Sequence, residues 1–451
     1  MARNESLRVA LVSLGCPKNL VDSEKMLAQL ASGGCIVGAP MAEADVIVVN
    51  TCGFLAAARK ESLEVIAEAL RHKHTGRAQR VVVAGCLVNR DAERLYDLAK
   101  GIDAIVGVNN RDELPAAVRH KGRITKIDSV TLPSGRGSKT CNLNDDAGRF
   151  RLTPRHTAYL RIAEGCSHKC SFCTIPAIRG PFRSKLPRTV LAEARELIAD
   201  GARELNVIAQ DTTTYGTDLC TGEKTTAHLL RELDKLDGLR WIRLMYTYPR
   251  RFSKSLIDTI AECERIVPYV DLPLQHISDP ILRRMGRGVT RGGIESLLKQ
   301  IRKRIPGVAI RTTFIVGFPG ETDKQFTELL EFAKAFHFDA LGVFAFSPEQ
   351  GTPAAKMHRQ VPENVKADRV EAVMLAQRQI AFAAGKRKSG QDIDILIDGI
   401  DPAGRCVGRH AGQAPDIDGI CYLTKPQKVG TFVQGKVVGS EGYDLIVKID
   451  D

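Results

Sequence analysis

Three runs of apolar, β-branched residues open the chain, and each stops at a cysteine: Val9 to Cys16, Val46 to Cys52 and Val81 to Cys86. Hydrophobicity that is continuous rather than alternating marks a strand covered on both faces. The intervening segments, Leu20 to Leu30 and Ala56 to Leu70, repeat apolar residues at helical spacing. The order strand, helix, strand, helix, strand predicts a parallel sheet. Ligands of such sheets bind beyond the carboxyl ends of the strands, where three cysteines would converge. Chance placement of thiols beside a core is the competing explanation.

From Pro115 to about Thr153 the periodicity fades, and Pro133–Ser138 and Asn142–Gly148 read as a polar connector. Downstream, six apolar strand candidates alternate with helical patterns: Ala158 to Ile162, Glu204 to Ala209, Trp241 to Tyr246, Tyr269 to Leu274, Ile310 to Val316 and Leu341 to Phe346. That alternation predicts a closed or open α/β barrel with its site on the C-terminal rim. After a charged helix, Val361 to Ala384, the chain turns to short alternating runs with glycine turns, the pattern of a small OB-like β-barrel. The expected fold class is therefore α/β. It comprises an N-terminal parallel α/β domain over residues 1–135, a linker over 136–155, a central partial (β/α) barrel over 156–384 and a C-terminal small β-barrel over 385–451.

The strongest chemical signal comes directly after the first barrel strand. Cys166, Cys170 and Cys173 are spaced C-x3-C-x2-C with no obvious fourth cysteine nearby. Three thiolates hold a 4Fe-4S cluster by three irons and leave one iron open, whereas electron-transfer clusters normally take four protein ligands. The alternative is a zinc site with His168 or a distant residue as fourth ligand, although zinc motifs usually pair C-x2-C or H-x3-H units. Phe172, between two of the cysteines, is a candidate shield against water.

Other polar groups fall on the same rim. Gln210 and Asp211 stand after the second barrel strand, to contact a cofactor or substrate or only to cap the next helix. His276 stands after the fourth, as a catalytic or a structural histidine. Gly317-Phe-Pro-Gly-Glu321 stands after the fifth, where Gly317 would either admit a cofactor to the backbone or only make a tight turn.

Composition narrows the class. Lys and Arg total 65 against 53 Asp and Glu, a formal net charge of +12, which biases the molecule towards polyanions. An aromatic content of 5% argues against an extended stacking platform for single strands. No apolar run approaches the roughly 20 residues of a membrane span, and the charged N-terminus is unlike a secretory signal, so a cytoplasmic location is expected. Twelve cysteines in such a chain suggest metal or redox chemistry before disulfides. Cys35, Cys141, Cys220, Cys263, Cys406 and Cys421 share no pattern and read as ordinary thiols.

Taken together, Ser13-Leu-Gly-Cys-Pro-Lys-Asn-Leu-Val-Asp-Ser-Glu24, Asn50-Thr-Cys-Gly-Phe54, the central cysteine motif and the C-terminal β-module resemble the radical S-adenosylmethionine (SAM) methylthiotransferases over nearly the whole chain. The resemblance implies two 4Fe-4S clusters: an auxiliary one on Cys16, Cys52 and Cys86, and one on Cys166, Cys170 and Cys173 whose open iron is chelated by SAM. Phe172, Gln210, Gly317 and Glu321 are the candidates for the SAM side; the turn from Gly317 to Glu321 is similar to the family's SAM-approaching segment but departs from its G-x-I-x-G-x-x-E form by one residue, and by the same resemblance the last module, containing Gly408–Gly419, is a TRAM domain that recognises the target. The segments Ala163–Gly180, Ala209–Gly216 and Ala414–Gly419 look like the branch that modifies an aspartate of ribosomal protein S-twelve rather than a transfer RNA adenosine.

The resemblance further implies a route. One SAM gives its methyl group to a sulfur held at the auxiliary cluster; a second is cleaved reductively, and its radical removes a hydrogen from the β-carbon of the aspartate, which takes up the methylthio group. An electron donor protein is then required. The target protein, met on the small ribosomal subunit, would bring phosphates of ribosomal RNA towards this basic chain.

Overall fold

The computed structural model describes residues 6–127, 145–219 and 225–449. Cys141, Cys220 and the proline-glycine stretch Pro133–Ser138 lie outside them, as do residues 1–5 of the N-terminus.

Strands Arg8–Ser13, Val46–Thr51 and Arg80–Gly85 are neighbours in a six-stranded parallel sheet. Their valines and isoleucines are buried on both faces because helices Pro17–Ser32 and Ala56–Thr75 cover opposite sides. Three shorter strands, Ile36–Val37, Ala104–Val106 and Ile124–Lys126, extend the sheet at its edges. They had no long apolar run to announce them.

The six expected barrel strands form as two three-stranded parallel sheets, Thr157–Arg161 with Glu204–Ile208 and Trp241–Leu244, and Tyr269–Asp271 with Ala309–Val316 and Ala340–Ala345. An isolated parallel bridge between Ile242 and Ile266 links the first sheet to the segment that leads into Tyr269–Asp271. Each strand lies beside its successor in sequence, so helices such as Pro187–Ala199, Arg291–Arg304 and Asp323–Phe336 pack outside a curved half-barrel. One continuous apolar core, running from Ala158 and Leu160 through Ile242 and Phe314 to Val373, lies between strands and helices. All six carboxyl ends face one rim.

Helix Glu363–Arg387 leads to a closed five-stranded barrel built from Asp392–Ile400, Cys406–His410, Cys421–Leu423, Phe432–Glu441 and Asp444–Lys448. Phe432–Glu441 is one long strand, bent by a register shift between Val437 and Gly439. This barrel is keyed into the half-barrel by charge. Arg409 reaches Glu204 at the start of a barrel strand with a 2.8 Å contact, and Arg243 donates to the carbonyl of Ala411 at 2.7 Å.

The end of the connector is built into the structure. Asp146 is 3% exposed and forms ion pairs with Arg161 at 2.5 Å and Lys185 at 2.7 Å, and Leu152 donates its backbone N–H to Glu24. A polar sequence is here an interior one, because its carboxylate meets two buried cations.

Candidate metal and cofactor site

The adjacency of the first three strands sets Cys16, Cys52 and Cys86 side by side. Cys16 precedes helix Pro17–Ser32, and its carbonyl accepts from the N–H of Asn19 at 2.8 Å. Cys52 is held by Ser62, whose hydroxyl accepts from its N–H at 3.1 Å and donates to its carbonyl at 3.0 Å. Cys86 opens helix Cys86–Asp91 directly after Gly85, which has φ +94°. Glycine is required again at Gly15: φ is +89°, and a Cβ there would lie 2.8 Å from Cys52 Cβ.

The second trio sits on the loop after strand Thr157–Arg161. Cys166 N–H donates to the carbonyl of Gly180 at 3.0 Å, and the next turn is fastened where Ser171 N–H donates to Met285 at 3.0 Å. Arg287 points a guanidinium nitrogen at Cys170 Sγ, 3.7 Å away, and lies over the ring of Tyr248. Tyr248 stacks in turn on His168, with ring centroids 4.0 Å apart. His168 Nε2 is 2.6 Å from Asp211 Oδ2, and Asp211 also accepts from Thr213 N–H at 2.9 Å. Asp211 is thus the cap of its 3-10 turn and the anchor of His168 at once.

One cluster of buried charge joins the two trios. Arg179 places Nη2 3.2 Å from Cys86 Sγ and 3.1 Å from Asp22 Oδ2, while Nη1 is 3.1 Å from Glu164. Arg161 binds the same Glu164 at 2.7 Å and Asp22 at 2.6 Å, and Arg111 also pairs with Asp22. Glu164 stands two residues before Cys166. Burial alone would raise its carboxyl, but Arg179 and Arg161 outweigh that and hold it far below the carboxylate range. A further bridge comes from Glu349, which accepts from Ala56 N–H at 2.9 Å and pairs with Arg90 at 2.7 Å.

The expected SAM-side residues gather on this rim. Phe172 is half-buried in an apolar group with Met285, Phe318 and Phe346. Gln210 donates to Glu164 Oε1 at 2.5 Å and keeps a buried Oε1 with no partner. Glu321 accepts from Phe318 N–H at 3.0 Å, and its Oε1 stands 3.9 Å from His276 Nε2 with no hydrogen bond formed by either atom. Gly317, at φ +71°, makes the turn, and the space beside its Cα is filled by Lys366, 2.3 Å from where a Cβ would stand. His276 Nδ1 accepts from Ser278 N–H at 3.0 Å, so one ring nitrogen is satisfied and the other is not.

The donor chemistry fits iron–sulfur clusters. All six cysteines are free, and burial pushes four thiols up: Cys52, Cys86 and Cys173, the last two to about 12, and Cys166 to about 11. Buried thiols with raised values ionise only when a cation arrives to hold the charge. Cys16 differs, since Lys18 and Arg179 overcome its burial and lower it. Among the described residues no three or more His, Cys, Asp or Glu side chains close round a point as a one-ion site does.

Comparison with known proteins shows the family. Residues 160–333 match the Radical SAM superfamily, residues 390–449 the TRAM domain and residues 8–107 the Uncharacterized protein family UPF0004. A protein of Geobacter sulfurreducens named ribosomal protein uS12 methylthiotransferase RimO is 43% identical over 99% of both chains. The chain belongs to the RimO family. A further RimO protein, from Citrifermentans bemidjiense, is 41% identical over 100% of both chains. Among solved structures, the radical SAM methyltransferase TsrM of Kitasatospora setae, with cobalamin and a [4Fe-4S] cluster bound, aligns with a TM-score of 0.53 at 19% identity over 77% of each chain, a likeness of fold. As a member of the RimO family the chain is a radical SAM methylthiotransferase, with SAM and an iron–sulfur cluster as its cofactors.

Sequence reasoning missed Arg179, Glu164, Asp22, Arg161 and Lys18 as site residues. A signal was present for two of them: Arg161 interrupts an apolar strand, and Asp22 falls on the inward face of an amphipathic helix. A charge at a buried position needs a partner, and here the partners come from another domain.

Proposed function

We propose that this chain adds a methylthio group to the β-carbon of an aspartate in ribosomal protein uS12, using one SAM as methyl donor and another as radical source. The observation that carries this is a pair of three-thiol sites bridged by one guanidinium, Arg179, from Cys86 to Glu164 just ahead of Cys166. Sulfur insertion needs two reactive centres close together, and the bridge supports that proximity.

Two 4Fe-4S clusters are assigned, one to Cys16, Cys52 and Cys86 in a domain spanning 1–135, the other to Cys166, Cys170 and Cys173 in a domain spanning 156–384; a TRAM domain at 385–451 faces the target. Bound there, the clusters and SAM would supply the one-electron chemistry and the methyl group. The protein's part is binding and exclusion. Each thiol would give up its proton to hold a cluster, and Arg179 and Arg287 are placed beside the charge that Cys86 and Cys170 would then carry. Phe172, packed with Phe318 and Phe346, keeps water from the second trio. Gln210 offers its unpartnered oxygen to SAM, and the Gly317 to Glu321 turn closes the same side.

The partners proposed are uS12 on the small ribosomal subunit, an electron donor protein and ribosomal RNA drawn by the +12 charge, in the cytoplasm. No helix among the described residues is long and apolar enough to cross a membrane. Mass spectrometry of uS12 and transfer RNA from a deletion strain tests the function: the methylthio mass should vanish from the protein. Its loss from the nucleoside, with the protein unchanged, would overturn the assignment.

A further inference from the structure

Helix Pro17–Ser32 turns Lys18 into the interface between the N-terminal domain and the half-barrel, where its side chain is 7% exposed. Its Nζ lies 3.1 Å from the centroid of the Tyr246 ring. Tyr246 comes after strand Trp241–Leu244 in a left-handed conformation, φ 58°, and its N–H donates to Asp271 Oδ2 at 2.9 Å. A cation of one domain is thereby seated on an aromatic face of the other.

Apart from that ring, Lys18 Nζ has neither a hydrogen bond nor an ion pair among the described residues. The carboxylates nearest in charge are Asp271 and Glu164, and both are already engaged. Asp271 accepts from Tyr246 N–H and from Arg311 at 3.3 Å; Glu164 accepts from Arg161 and Arg179. Three ammonium N–H donors with no protein acceptor, next to Cys16 and close to Glu164, are left for a carboxylate brought from outside to accept from.

We propose that Lys18, seated on Tyr246, grips the carboxylate of the target side chain and so selects an acidic residue. This rests on the function proposed above, in which the target is an aspartate. In aspartate a single bond separates the carboxylate carbon from the β-carbon, so anchoring the carboxylate fixes the carbon that is to be modified. Asparagine lacks the charge, and glutamate inserts a methylene that moves the reacting position.

The test uses the reconstituted enzyme and uS12 carrying Asp, Asn or Glu at the target position, with Lys18→Met and Lys18→Arg as variants. Wild type should prefer Asp over Asn by about 10-fold or more in kcat/KM, the scale of one charge-assisted hydrogen bond. Lys18→Met should raise KM for the Asp form about 10-fold and abolish the preference, with iron per chain and cluster spectra as in wild type, and Lys18→Arg should restore part of it. An undiminished Asp preference in Lys18→Met overturns the proposal. So does loss of iron or an altered cluster spectrum, which would make Lys18 a support for Cys16. Should Lys18→Met not fold, equal turnover of the Asp and Asn forms by wild type overturns it equally. If wild type modifies no form of uS12, the proposed function itself falls.

Discussion

Arg179 Nη2 stands 3.2 Å from Cys86 Sγ, while Nη1 of the same guanidinium stands 3.1 Å from Glu164. A residue six positions after Cys173 therefore holds the third cysteine of a different domain. Replacing it with methionine strips Asp22 and Glu164 of one buried partner each, and Arg161 compensates only in part. The expected cost approaches the roughly 3–5 kcal/mol of a broken buried pair, and thermal melting of metal-free protein checks it. An unchanged melting temperature would mean that the bridge does not hold the domains together.

If the trios load independently, Cys52→Ala and Cys173→Ala should each lower iron from about eight to about four per chain. Iron analysis with Mössbauer spectroscopy under anaerobic conditions measures this. Complete loss of iron in either variant would show that the trios form one site.

The raised thiols give loading a pH dependence. In the metal-free chain burial keeps Cys86 and Cys173, at about 12, and Cys166, at about 11, protonated at neutral pH, and loading must displace those protons. Reconstitution should be faster and more complete at about pH 8.5 than at about pH 6.5, because fewer protons compete with iron for the thiolates as pH rises. A flat profile would place the protons elsewhere.

Glu204 ties the C-terminal barrel to the half-barrel. Burial would raise its carboxyl, but Arg409 and Arg243 bring it down to about 2 from an ordinary 4.5. A depressed carboxyl stabilises fully above the unfolded value, and that stability is lost as pH falls from about 4.5 through about 2. The loss is on the order of 3 kcal/mol. Glu204→Gln should flatten the melting temperature across this window; an unaltered acid profile would assign it to other carboxylates.

Gly317→Ala separates two roles of its turn. With φ +71° and Lys366 only 2.3 Å from the added Cβ, the variant should lose about 1–3 kcal/mol of stability before any effect on SAM is considered. Denaturant unfolding of the metal-free protein measures it. A variant of normal stability that binds SAM poorly would mean that Gly317 serves the cofactor directly.

The long strands and their order were legible in the apolar runs. Segments such as Val46–Val49 and Val81–Val83 are too apolar to lie anywhere but between two layers, and a cysteine after each then has to emerge at the same sheet end. The C-x3-C-x2-C spacing is local and survives any tertiary arrangement. Which charges are buried together was settled only by the packing of domains. Asp22, Arg161, Arg179 and Glu164 come from separate elements, and Lys18 meets Tyr246 only because two domains close on each other. The short strands at the sheet edge were equally silent, since three residues carry too little pattern to distinguish strand from loop. Periodicity reports which face of an element is covered; it does not report what covers it, and a buried ion's partner is a property of the covering surface.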